Sequence, residues 1–279
     1  MYTYNWYQWI AFFYIYCFFG WVFESCYVSI RTRRLVNRGF LRIPMLPLYG
    51  SGAVMMLWVS LPVRDNLILV YLSGVTGATI LEYVTGSIME QLFKIRYWDY
   101  SNQRFQVHGY ICLTSSIAWG FLTILMTEVI HEPIAGIVLR LNQNILICCV
   151  SLISIVFAAD MYLSTRAALA LGKSLVAMTR LKADIEKMQA RLVTLREEAA
   201  ELANEFKNRC HSGELGHLLH QLEETKAKRQ ALLHLKGLHR LYRKGLLLRN
   251  PGAVSSKFAA ALREMREELG VHKQHNSEK

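Results

Sequence analysis

Four carboxylates lie in stretches of this chain that otherwise suit hydrocarbon: Glu24, Glu82, Glu90 and Asp160. A carboxylate at the centre of a bilayer costs about 2.5–3.5 kcal/mol on insertion scales, so each needs a partner, a proton or water. Glu82, Gly86 and Glu90 are spaced by four, which puts them on one face of a helix. Arg31, Arg33, Arg34, Arg38 and Arg42 follow Glu24, and Lys94, Arg96 and Arg104 follow Glu90. A network joining Glu24, Glu82 and Glu90 to Arg31, Arg38, Arg42 or Arg96 therefore suits one side of a membrane. Such a network either lines a vestibule through which a solute or ion passes, or clamps loops to helix ends. Asp160 sits near a helix C-terminus, where the dipole disfavours negative charge. It calls for Arg166 or a neighbouring loop as its partner. Asp99, between Trp98 and Tyr100, caps the local backbone or binds an arginine.

Long apolar helices must position these groups. The composition, 53% hydrophobic and 19% charged with net charge +11, fits neither a soluble domain nor a compact membrane bundle. Dividing the chain resolves the conflict. Residues 1–163 hold 10 Lys/Arg and 8 Asp/Glu, whereas residues 164–279 hold 22 and 13. The first part is membrane-like and the second is a polar tail, which excludes a disulfide-rich secreted scaffold, a purely soluble enzyme and a disordered chain. Five spans are expected: Trp9–Ile30, Leu46–Val63, Leu67–Phe93, Ile111–Ile130 and Ile145–Leu163. No Lys or Arg precedes the first, so it does not read as a signal peptide. The two arginine-rich loops alternate with loops holding only Arg64 with Asp65, and Arg140 with Glu128 and Glu132. Positive loops stay in the cytoplasm, so the N-terminus is expected outside and the tail inside. By Tyr27 the chain has used 14 of its 32 Phe, Tyr and Trp, which suits an anchoring belt at the outer interface.

Irregular segments flank the network. The run from Asn37 to Gly52 holds Gly39, Pro44, Pro47, Gly50 and Gly52 and reads as an ordered, partly re-entrant approach to the second span. Such backbone survives at membrane depth only when buried in protein or facing water. Ser73, Gly74, Gly77, Ala78 and Gly86 allow close helix packing. None of the six cysteines forms a CxxC pair, and no metal, redox centre or other cofactor is expected. Neither HExxH nor G-x-S-x-G occurs, so no enzyme is expected. Ala167 to Ser174 reads AALALGKS and ends like a Walker A motif, but its first glycine is missing and it continues a helix. It reads as plain helix, without ATPase activity.

The tail carries a heptad pattern at Met178, Leu181, Ile185, Met188, Leu192, Leu195, Ala199, Leu202 and Phe206. A coiled-coil helix is expected over 164–211, pairing with a second copy or another helix. Ser212-Gly213 breaks the run, and the next helix, Glu214 to Leu248, either folds back as a hairpin or kinks a longer rod. Asn250-Pro251-Gly252 ends it, and Ser255 or Ser256 caps a last helix over Phe258–Leu269. Residues 212–279 form a basic helical tail with His272–Lys279 frayed. Lys236–Arg249 is basic and amphipathic, suiting a packed helix or an anionic leaflet rather than nucleic acid.

The membrane-like part of the chain resembles a known family. Gly20-Trp21-Val22-Phe23-Glu24, Asn37-Arg38-Gly39-Phe40-Leu41 and Pro47-Leu48-Tyr49-Gly50-Ser51-Gly52 carry the likeness. So do Leu81-Glu82-Tyr83-Val84-Thr85-Gly86, Met89-Glu90, Trp98-Asp99-Tyr100-Ser101, Gly109-Tyr110-Ile111-Cys112-Leu113 and Trp119-Gly120. These motifs resemble the bacterial type IV ABC-transporter membrane proteins, the CmpB-like permeases, over residues 8–163. The resemblance implies an integral membrane permease of the cytoplasmic membrane, served by a separate ATPase subunit. The alternative is a membrane-anchored coiled-coil scaffold. Ile43, Gln106 and Thr114-Ser115 depart from the family pattern.

Overall fold

The computed structural model describes residues 4–205, 212–233, 238–250, 252–255 and 257–271. Phe206, Cys210, Leu235, Lys236, Pro251, Ser256 and His272–Lys279 lie outside the described residues. Most of the described structure is helix. α1 spans Trp6–Thr32, α2 Pro47–Ser60, α3 Leu67–Phe93, α4 Leu113–Leu125 and α5 His131–Arg140. α6 runs without a break over Gln143–Glu205, followed by α7 (Ser212–Leu233), α8 (Leu238–Arg249) and α9 (Ala259–Glu268). A small antiparallel hairpin pairs β1 (Gln106–Val107) with β2 (Ile111–Cys112).

Four stretches are long and apolar enough to cross a membrane: α1, α3, Leu113–Arg140 and the first part of α6. The fourth expected span ends at Ile130, yet its helix continues to Arg140. Pro133 lies just beyond Ile130. Inside a helix its ring crowds the carbonyl four residues back and it lacks a donor. The structure accommodates it with a widened π turn over Met126–Ile130. The second expected span is a shorter apolar helix, α2 closed by a 3-10 turn over Leu61–Val63. Pro47 starts it at a position where a missing amide costs nothing. Asn66 caps α3, its Oδ1 accepting from the Ile68 and Leu69 amides.

α2 is short because the chain enters it deep inside the bundle. After α1 ends, the loop runs back along one face of that helix. The Val36 amide donates to Ser29 Oγ at 3.0 Å and the Arg38 amide to Ser25 Oγ at 3.1 Å. Trp21 Nε1 donates to Asn37 Oδ1 at 2.7 Å, and the Leu46 amide to the Cys17 carbonyl at 3.0 Å. Ser29, Ser25, Trp21 and Cys17 are four apart, so they form one stripe. By Leu46 the chain has climbed about 22 Å back from the end of α1, at 1.5 Å per residue. The loop therefore doubles back along α1, which satisfies several of its backbone amides.

Two cores result. One fills the apolar bundle around Phe12, Leu57, Met126 and Val138. The other lies at the opposite end, where Phe93, Ile95 and Tyr97 meet Leu171, Leu175 and Met178 of α6 and Leu246, Leu247, Leu262 and Met265 of the tail. α7 folds back against α6, with Leu218 and Leu222 buried, so the tail forms a helical hairpin within one chain. Met178 and Ile185 of the heptad stripe are buried inside this chain. Arg229 of α7 pairs with Glu264 of α9.

The Walker-like stretch lies wholly inside α6. A Cβ built on Gly172 would sit 2.6 Å from the Phe93 carbonyl oxygen, so this glycine lets α6 press on the end of α3. Gly172→Ala is expected to lose about 1 kcal/mol net, backbone crowding outweighing the helix gain. Thermal unfolding in detergent checks this, and an unchanged or raised midpoint would show that the two helices separate freely.

Candidate functional site

The expected carboxylates gather at the tail end of the bundle, but each has a different kind of partner. Glu24 pairs with Arg38, Nε to Oε1 at 3.2 Å, and accepts from the Tyr49 hydroxyl at 2.7 Å. Glu90 pairs with Arg96 at 2.5 Å and accepts from the Tyr110 hydroxyl at 2.6 Å. Arg96 also lies 3.6 Å from Asp99 and stacks over the Tyr110 ring. Burial works against the Arg96 charge, yet Glu90 beside it raises its pKa overall. Asp160 takes the neighbouring loop and not Arg166. Its Oδ2 accepts from the Arg42 amide at 2.7 Å and the Ile43 amide at 3.1 Å. Arg31 instead approaches Tyr27 on an exposed surface.

Glu82 is the exception. It is 6% exposed, in the middle of α3, and among the described residues no cationic nitrogen lies within ion-pair distance. Its acceptors are filled by neutral donors. Trp119 Nε1 donates at 2.9 Å, the Tyr100 hydroxyl at 3.1 Å and Ser115 Oγ at 3.4 Å. Burial, and then the Glu82 charge, push the Tyr100 phenol above its usual range. Among the described residues Glu82 is thus a buried carboxyl without a counterion, held by neutral donors in the apolar bundle.

Loops aim these donors. The hairpin of β1 and β2 returns the chain so that Tyr110 and α4 face Glu90 and Glu82. Gly109, at φ +74°, turns the hairpin where a Cβ would strike Arg96 Nη1 at 2.6 Å and Asp99 Oδ1 at 2.9 Å. The small residues of α3 serve packing. Gly74 abuts Thr123, Gly86 abuts Tyr110 and Trp98, and Ala78 is buried. Gly77 opens onto an apolar groove of about 500 Å³ between α2 and α3.

A second polar hub lies at the far end and was not visible in the sequence. His131, 2% exposed, is hydrogen bonded to the Tyr4 hydroxyl through Nε2 and to the Tyr16 hydroxyl through Nδ1, both at 2.9 Å. A neutral imidazole does this by accepting at one nitrogen and donating at the other. Beyond it Arg64 bridges Glu128 and Glu132. Among the described residues no group of His, Cys, Asp and Glu is arranged to hold a metal.

The segment 249–255 straps the two loops that carry the arginines. Arg38 Nη1 donates to the Arg249 carbonyl at 3.3 Å, and Asn250 Nδ2 to the Gly39 carbonyl at 3.2 Å. Arg96 and Val254 exchange backbone hydrogen bonds at 2.7 and 2.9 Å. Ser255 Oγ donates to the Lys94 carbonyl at 2.7 Å and accepts from the Phe258 amide, capping the turn into α9.

Apolar helices of spanning length and buried carboxylates gathered at one end define a polytopic helical membrane protein. The chain belongs to the family described as Putative ABC-transporter type IV, whose model matches residues 11–165. It is therefore a transporter-related membrane protein. No curated protein and no solved structure matches it. The matched region contains Glu24, Arg38, Arg42, Glu82, Glu90, Asp99 and Asp160, while α6 beyond residue 165, α7 and the strap lie outside it.

Proposed function

We propose that this chain is the permease-like membrane subunit of an ABC-type transporter, with Glu82 on the solute path. One observation carries the reading: Glu82 is a buried carboxyl that forms no ion pair among the described residues. Asp160 and the Glu24–Arg38 and Glu90–Arg96 pairs have the geometry of fasteners. Glu82 ties no loop by an ion pair, and its neutral donors can turn toward a passing group. Intramembrane carboxylates of this kind mark pathways. The irregular loop that follows α1 also supports the reading, since irregular backbone at depth accompanies aqueous cavities.

The same loop supports five crossings. It enters from the arginine-rich side and delivers the chain at mid-depth, so α2 needs to cross only the remaining half. With arginine-rich loops in the cytoplasm, the N-terminus lies outside and the tail inside the cell. The motor is a separate ATPase subunit. Capture of the intact protein in mild detergent tests this: an ATPase subunit should co-purify, and its consistent absence would count against an ABC assembly.

A scaffold is the second reading, favoured by the 63-residue α6 and its hairpin, which project well beyond the bundle. In that case Glu82→Gln leaves partner capture intact and no solute moves with any ATPase.

A further inference from the structure

The loop after α3 doubles back along that helix, as the loop after α1 does along its own. Arg96 pairs with Glu90, Trp98 lies against Gly86, and the Tyr100 hydroxyl donates to Glu82. The loop thus advances two residues for every four of α3. Two extended residues cover about 6.6 Å and four helical ones about 6 Å, so Arg96–Tyr100 runs antiparallel to α3 in step with it. α4 then starts well inside the bundle. Thr79 Oγ1 donates to Ser116 Oγ at 2.9 Å, and Ser115 and Trp119 reach Glu82. The first turn of α4 is therefore about 15 Å short of the end of α3. The open end of the β hairpin lies at the same level, because the Leu113 amide donates to the Phe105 carbonyl at 3.2 Å.

That level meets the membrane. The 27 residues of α3 span about 40 Å, against about 30 Å of hydrocarbon. Even with this whole excess at the hairpin end, Phe105 lies at or just inside the edge of the hydrocarbon, and tilt of α3 only deepens it. Phe105 is 79% exposed and Val107 is exposed beside it. Phe105 holds φ +53°, a left-handed conformation uncommon for a bulky residue, and its ring stays outside the core. The exposed apolar surface continues along α4. Leu113, Ile117, Phe121 and Leu125 are exposed and four apart, so they form one stripe on a helix of spanning length. That stripe faces lipid. Asn102, Gln103 and Arg104, just ahead of Phe105, are exposed as well. An apolar ring beside a cation suits the boundary layer, where the ring lies among acyl chains and the guanidinium reaches the headgroups.

We propose that Phe105 and Val107 insert into the lipid leaflet, so that the β hairpin anchors its loop in the membrane. The occupant of this surface is lipid, because the surface is continuous with the lipid-facing stripe of α4 and lies at membrane depth. The loop so anchored carries Tyr100 and Tyr110, the donors to Glu82 and Glu90. The leaflet thereby helps to hold those donors in place. The inference stands whether or not Glu82 lies on a solute path.

The test uses the full chain in nanodiscs of phosphatidylcholine and phosphatidylglycerol, with p-benzoylphenylalanine in place of Phe105. After irradiation, mass spectrometry of the intact protein reads covalent lipid adducts. The same replacement at Phe121, on the lipid-facing stripe, gives the positive reference. Val193, exposed on α6 beyond the bundle, gives the negative one. Lipid adducts at position 105 should match those at 121, while position 193 gives none. Adducts at 105 no higher than at 193 would overturn the proposal and place the ring in water. Cross-links from 105 to a second copy or to a co-purified ATPase, without lipid adducts, would also overturn it and mark a protein-docking surface. Should the chain fail to fold with the replacement at 105, the same replacement at Val107 decides.

Discussion

Asp160→Ala should release the loop after α1 and lower the stability of the folded protein by about 3 kcal/mol. One carboxylate oxygen holds the Arg42 and Ile43 amides immediately before Pro44, which itself offers no donor. Alanine leaves both amides without an acceptor and removes the charge that strengthened each bond. The loop then loses its attachment to α6 and keeps its contacts along α1 and with the strap. Asp160→Asn retains a carbonyl oxygen and should lose markedly less. Thermal unfolding in detergent, followed by tryptophan fluorescence, reads the difference. An alanine variant that melts with wild type would show that α1 and the strap suffice to hold the loop.

Gly50→Val should be at least as damaging. Even a Cβ at this position would lie 2.3 Å from Cys17 Sγ and 2.7 Å from the Phe13 carbonyl oxygen. The sulfur belongs to a fully buried side chain and the oxygen to the helix backbone, so neither can yield cheaply. Gly20 makes the reciprocal approach, its hydrogen facing Tyr49. α1 and α2 would have to separate just where the loop enters α2. Overpacking costs about 1–3 kcal/mol per site, and two branched methyls at a backbone contact place this variant at the upper end or beyond. Folded yield by size exclusion, with Gly50→Ala as a milder step, gives the measure. Equal yields for all three proteins would contradict this packing.

The reach of the sequence varied with the physics behind each element. The bounds of α3 were legible to the residue, because Asn66 caps its start and its apolar run ends where the charges of Lys94 and Arg96 begin. The far end of the Leu113–Arg140 helix was not, because Glu128, Glu132 and Pro133 resemble a terminus. Only the π turn shows how the helix passes them. The hairpin of α6 and α7 was one of two open possibilities, since a Ser-Gly break specifies a bend without its angle. The carboxylates themselves stood out through their cost in an apolar stretch. Their partners did not: Tyr100, Ser115 and Trp119 reach Glu82 from separate segments, and spacing along a chain does not report that convergence. His131 gave no signal, because one histidine among Glu128, Glu132 and Arg140 reads as loop.

The account rests on Glu82 acting in transport and not as a fastener. The most direct measurement is ATP-dependent solute uptake by proteoliposomes holding the protein with its co-purified ATPase, wild type against Glu82→Gln, normalised to folded protein. The account predicts uptake at least about tenfold lower at equal folded yield, the size of one lost charged interaction. Unchanged uptake, or a loss matched by an equal fall in folded yield, would contradict it and leave Glu82 a structural clamp.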